Sequence, residues 1–122
     1  MEAPSLRRIV LEAGGSTSGI SIRRHLAPRT AGLLLRALPV SGNAHGLGGS
    51  AAYVVCGIGA GLERPRSSFS RGDVAFLPRA QAVCFFTGDA EPGPMTPLGT
   101  LEDPGILDGI GGGDRMRIYA GR

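Results

Sequence analysis

The chain has 122 residues, thirteen basic against ten acidic, and a formal net charge of +3. That length fits one domain, residues 1–122, built on one hydrophobic core, and no run of about eighteen apolar residues exists to cross a membrane as a helix. All thirteen basic residues are arginine, spread in pairs such as Arg7-Arg8, Arg23-Arg24 and Arg64-Pro65-Arg66, which reads as solvated surface charge rather than the basic stripe of a nucleic-acid binder.

Residues 1–8, Met-Glu-Ala-Pro-Ser-Leu-Arg-Arg, lack the charged start and apolar segment of a signal peptide, so a cytoplasmic protein is expected. Residues 5–12 read as a strand carrying Leu6, Ile9, Val10 and Leu11. Residues 13–19, Ala-Gly-Gly-Ser-Thr-Ser-Gly, read as a turn. Ile20, Ile22 and Leu26 then give a second strand that pairs back on the first. Ala31, Leu34, Leu35 and Leu38 recur at three- and four-residue spacing, which predicts a helix over 29–38, begun at Pro28 and stopped by Pro39 and Gly42. Residues 41–50, Ser-Gly-Asn-Ala-His-Gly-Leu-Gly-Gly-Ser, read as a glycine-rich loop with His45 exposed on it.

Residues 51–58, Ala-Ala-Tyr-Val-Val-Cys-Gly-Ile, form a strongly apolar strand, and 59–68 a polar connection. The densest apolar stretch follows. Gly72-Asp73 signals a turn, 74–77 is an apolar run closed by Pro78, and 82–86 is a second run closed by Gly88, so the two read as a hairpin. Phe76, Phe85 and Phe86 are half of all aromatic side chains in the chain, and a pocket wall is expected here, from Tyr53, Phe76, Arg79, Phe85, Phe86 and Met95. Residues 89–96 read as a proline-bearing loop, 98–101 as a strand, 104–107 as a helical turn at most, and 115–119 as a closing strand. About eight short strands and one or two short helices describe a mainly β, closed barrel better than a layered α/β fold.

The run Gly-Asp-Val-Ala-Phe-Leu-Pro at 72–78, then Ala-Val-Cys-Phe-Phe-Thr-Gly at 82–88 and Met-Thr-Pro-Leu-Gly at 95–99, resembles the small prokaryotic cyclophilin-like barrel proteins. The likeness runs in order over residues 5–120, through the helix with Thr30-Ala31 near its start, 42–55 and 114–119. Family members commonly carry a Trp before a Gly in the loop after the helix, where this chain has Leu47-Gly48. The resemblance implies a cyclophilin-like barrel, and for genuine cyclophilins it implies cis/trans isomerisation of Xaa-Pro bonds. There an Arg on the strand after the first helix polarises the prolyl amide, and a Phe-rich strand cups the ring. Residues 82–86 supply the second part. The first is missing, since Ala52-Tyr53-Val54-Val55-Cys56 contains no Arg, and an electrostatic contribution of that kind is often the largest.

Other chemistry finds no support. Gly109-Ile110-Gly111-Gly112-Gly113-Asp114 lacks the Lys-Ser/Thr ending of a phosphate loop and precedes a strand. Ser16, Ser18, Ser67 and Ser68 have no His and Asp at triad spacing. Cys56 and Cys84 sit in apolar runs as small core side chains, and no metal-ligand spacing or cofactor motif occurs. No catalytic residue is therefore assigned. The expected function is a domain binding a small molecule or an Xaa-Pro peptide without strong catalysis. The alternatives are a weak prolyl isomerase using Arg79, and an interaction module whose groove is incidental. Oligomeric state is left open.

Overall fold

The computed structural model describes residues 6–121. Nine antiparallel strands form one sheet: β1 (Leu6–Ala13), β2 (Ser16–Arg23), β3 (Val40–Asn43), β4 (His45–Leu47), β5 (Ala51–Val55), β6 (Asp73–Leu77), β7 (Ala82–Phe86), β8 (Thr96–Leu101) and β9 (Arg115–Ala120). Their order is β3-β9-β1-β2-β8-β6-β7-β5-β4. One helix, α1 (Pro28–Ala37), follows a 3-10 turn at Arg24–Leu26, and a second 3-10 turn covers Pro104–Leu107.

The two edges of this sheet, β3 and β4, are one piece of chain interrupted only at Ala44. The first half pairs with β9 and the second with β5, so the sheet rolls into a nearly closed barrel. Ala44 sustains the crossing: its N–H donates to Asp114 O (2.6 Å) and its carbonyl accepts from Gly113 N–H (2.9 Å). Closure leaves no long free edge to template pairing with another chain. Residues 41–50, expected as a loop, are thus largely strand. Glycine misled the reading: Gly42 lacks a side chain because Val54 Cγ2 lies 3.2 Å from where a Cβ would sit, and glycine in a strand often marks such an approach.

Local chemistry explains the other elements. Ile9, Leu11 and Ala13 of β1, Ile20 and Ile22 of β2, and Met116 and Ile118 of β9 alternate into the barrel. The β1–β2 turn is only Gly14-Gly15, both at positive φ (58° and 82°), the conformation a two-residue hairpin favours. The polar run Ser16-Thr17-Ser18, expected as turn, is strand instead. Ser18 tolerates burial there because its hydroxyl accepts from Asp103 N–H (2.8 Å) and donates to Gly19 O (3.0 Å). The strand expected over 51–58 stops at Val55, where Cys56 and Gly57 turn their N–H groups to Gln81 O (2.8 and 3.1 Å).

The β6–β7 hairpin is where the sequence placed it. Its two faces serve two cores. Val74, Phe76, Val83 and Phe85 face the barrel interior with Leu34 of α1, while Ala75, Leu77, Cys84 and Phe86 face outward. That outer face is covered by two flanking segments, joined by bridges between Arg66 and Met95 and between Phe69 and Ala90. Phe69 stacks on Phe86 with centroids 4.8 Å apart.

Candidate functional site

Helix α1 begins at Pro28 with Ala27 in the capping position, and no side chain at its own start accepts from its first N–H groups. Such orphan donors need a partner. Glu63 supplies it from 33 residues further along. Its carboxylate accepts from Arg29 N–H (3.1 Å), Thr30 N–H (2.8 Å) and the Thr30 hydroxyl (2.8 Å). Burial pushes the Glu63 carboxyl up, but the Thr30 and Arg29 hydrogen bonds and the Arg29 charge outweigh it and hold the group below its ordinary value. Glu63 N–H in turn donates to the buried Thr96 hydroxyl (2.9 Å).

The other flank of this loop is fixed by Gln81, in the turn between β6 and β7. Its Oε1 accepts from Gly59 and Ala60 N–H (2.7 and 3.2 Å), and its Nε2 donates to Ala60 O and Pro78 O (2.8 and 2.9 Å). Gln81 adopts φ +51° to make these bonds, a region that non-glycine side chains rarely occupy without local compensation.

Between these anchors Leu62 is held in water. It is 52% exposed, more than any other large hydrophobic side chain among the described residues. A hollow of about 310 Å³ lies on one side, lined by Arg29, Thr30, Leu33 and the 59–63 segment. A second, of about 340 Å³, is walled by Leu62, Leu77, Pro78, Arg79, Pro92 and Pro94. Leu62 lines both hollows, which flank it as two lobes with one arginine in each, Arg29 in the first and Arg79 in the second. Neither Arg29 nor Arg79 joins an ion pair among the described residues. A third hollow of about 200 Å³ opens near Ala44, Ala52, Thr87 and Leu107. Exposed His45 lines it and stacks on Tyr53, centroids 5.1 Å apart.

The six residues expected to wall one pocket do not meet in one place. Phe76 and Phe85 are 0% exposed inside the barrel, and Phe86 and Met95 are 0% exposed in the outer cluster. Successive strand residues point to opposite faces, so Phe85 and Phe86 cannot share a pocket. Tyr53 is half-buried on the outer side, packed against that outer cluster. Arg79 alone lines the groove. Both thiols are unsuited to nucleophilic work: burial pushes Cys84 up to about 12, with Arg79 pulling weakly the other way, and burial also raises Cys56. No group of three or more metal-ligating side chains occurs among the described residues.

Sequence reading missed Glu63, Gln81 and Leu62. The available signal for Glu63 was negative: a helix starting Ala27-Pro28-Arg29 has no cap of its own, so an acceptor had to come from elsewhere. Nothing in the pattern around Leu62 separated it from an ordinary core leucine.

The fold is shared with known structures. The hypothetical protein AF2241 from Archaeoglobus fulgidus, known from a solution structure, superimposes with a TM-score of 0.82 at 19% identity, covering 98% of each chain. McbB, in a complex with tryptophan, gives a TM-score of 0.75 at 20% identity over 92% of this chain and 44% of its own. The chain therefore spans less than half the length of McbB, and at these identities the likeness is one of fold. No protein-family model matches the chain, and no curated protein matches its sequence.

Proposed function

We propose that the chain is a binding module that takes a small molecule or a short Xaa-Pro peptide in the groove around Leu62, without strong catalysis. The observation behind this reading is that a leucine is kept 52% exposed by a loop pinned on both flanks, between two hollows. Pro78, Pro92 and Pro94 give the second lobe stiff apolar walls, and Arg79 offers a charge-assisted bond to a carbonyl or carboxylate at its rim. The McbB complex lends support to the small-molecule class, because a protein sharing this barrel is described with tryptophan bound.

Magnitudes make the binding weak. Covering a half-exposed leucine contributes about 1 kcal/mol, roughly half the value of burying one completely. A few such contacts with one arginine bond correspond to a Kd of about 0.1–1 mM. Calorimetric titration with a panel of Xaa-Pro peptides and aromatic amino acids tests this; saturable heat in that range supports the reading, and none from any member of the panel defeats it.

A second reading, weak prolyl isomerisation, draws on Arg79 standing unpaired beside three prolines in the apolar lobe. It lacks an aromatic cup, since Phe85 lies inside the barrel. An exchange experiment on the bound peptide distinguishes the two: cis/trans exchange accelerated by wild type and not by Arg79→Ala favours the isomerase.

A further inference from the structure

Between Glu12 and Glu63 the chain contains no Asp or Glu, yet it carries Arg23, Arg24, Arg29 and Arg36. Two of these converge. Arg24, in the 3-10 turn before α1, and Arg36, in the last turn of α1, both reach over Gly32. Arg36 Nη1 lies 3.5 Å and Arg24 Nη2 3.7 Å from the point where a Cβ of Gly32 would sit. Neither arginine forms an ion pair among the described residues. Four other arginines do: Arg8, Arg66, Arg71 and Arg117 each face a carboxylate. Arg24 and Arg36 converge on each other with no carboxylate at ion-pair distance among the described residues.

Gly32 is the second observation. It sits inside the helix, away from the left-handed region, and an added Cβ would meet only ordinary contacts. Its backbone does not call for glycine, and glycine weakens a helix interior relative to alanine. With no Cβ at this position, both guanidinium groups close over the buried Gly32, which brings the two forks side by side. A carboxylate presents two coplanar oxygens and suits one fork. A phosphate group presents oxygens in several directions and two negative charges, and suits two.

We propose that Arg24 and Arg36, across Gly32, form a binding site for a phosphate group, carried by inorganic phosphate or by a phosphomonoester. The site is separate from the Leu62 groove and does not depend on it.

The test is a two-dimensional amide NMR titration of the full chain with sodium phosphate and, separately, phenyl phosphate, against sodium chloride at matched ionic strength. Saturable shifts confined to residues 24–36 are expected, absent with chloride, and the tighter of the two phosphates identifies the source. Arg24→Gln and Arg36→Gln are each expected to weaken binding about tenfold or more, as loss of a charge-assisted pair implies, while Arg23→Gln leaves it unchanged. Non-saturating shifts, an equal response to chloride, or equal weakening in Arg23→Gln would overturn the proposal. Should an arginine variant unfold, Arg24→Lys and Arg36→Lys carry the test, because each keeps the charge and loses the fork. Each is expected to weaken phosphate binding several-fold at an unchanged Tm; undiminished binding in both overturns the proposal.

Discussion

Gln81 holds Ala60 from both sides, its Oε1 accepting from Ala60 N–H at 3.2 Å and its Nε2 donating to Ala60 O at 2.8 Å. The same amide also bonds Gly59 N–H and Pro78 O. One side chain thus replaces the strand pairing that residues beyond Val55 give up. Gln81→Ala is expected to cost about 2–3 kcal/mol, several net hydrogen bonds at once, and to raise amide exchange over residues 57–61. Gln81→Glu keeps the shape but sets an acceptor against two carbonyls. Its stability is expected to improve as pH falls and the new carboxyl protonates, which a pH series of urea unfolding curves reads directly.

Glu63 gives the opposite pH dependence. Its folded-state carboxyl is held below the ordinary value of 4.5, so its contribution is complete above that value and fades as pH falls through the lowered one. Glu63→Ala is expected to cost about 1–2 kcal/mol near neutral pH through loss of the helix cap. Glu63→Gln, which keeps one acceptor, costs less. The difference in Tm between wild type and either variant narrows as pH falls below the ordinary value of 4.5 and through the lowered folded-state one. The surface carboxylates Glu102 and Asp108, also held low, by Arg8 and Arg71, are common to both proteins and cancel in the comparison.

Phe85 and Leu62 separate packing from binding. Phe85→Ala opens a cavity in the barrel and is expected to cost about 3–5 kcal/mol, without removing any groove contact. Leu62→Ala is expected to change stability by less than about 0.5 kcal/mol, as exposed positions do. Chemical denaturation of the two variants checks the contrast.

Cys84 is expected to stay unmodified by a thiol reagent near pH 8 while the protein is folded, because burial keeps its thiol protonated. Cys56, half-buried, reacts first. Mass spectrometry of the modified protein in native and denaturing buffer resolves the order.

The barrel was legible in the sequence where one face is apolar and the other polar, as in β1, β9 and the helical stripe of Ala31 and Leu34. It was illegible where glycine replaces the alternating side chain, as at Gly42 and Gly46: at Gly42 the close approach of Val54 and not burial sets the residue, and at Gly46 open space leaves no side chain to carry the pattern. The site was harder to read. Phe76, Phe85 and Phe86 look like a cluster along the chain, but strand alternation divides them between two cores. Leu62 and Glu63 acquire their roles from Gln81, Thr30 and Thr96, contacts made only once the chain is folded.

The most direct test of the groove is an amide NMR titration with an Xaa-Pro peptide on wild type and Leu62→Ala side by side. The account predicts saturable shifts at Leu62, Arg79 and residues 59–63 in wild type, and their loss in a variant of unchanged stability. Shifts centred on His45 and Tyr53, or shifts that persist undiminished in Leu62→Ala, would contradict it.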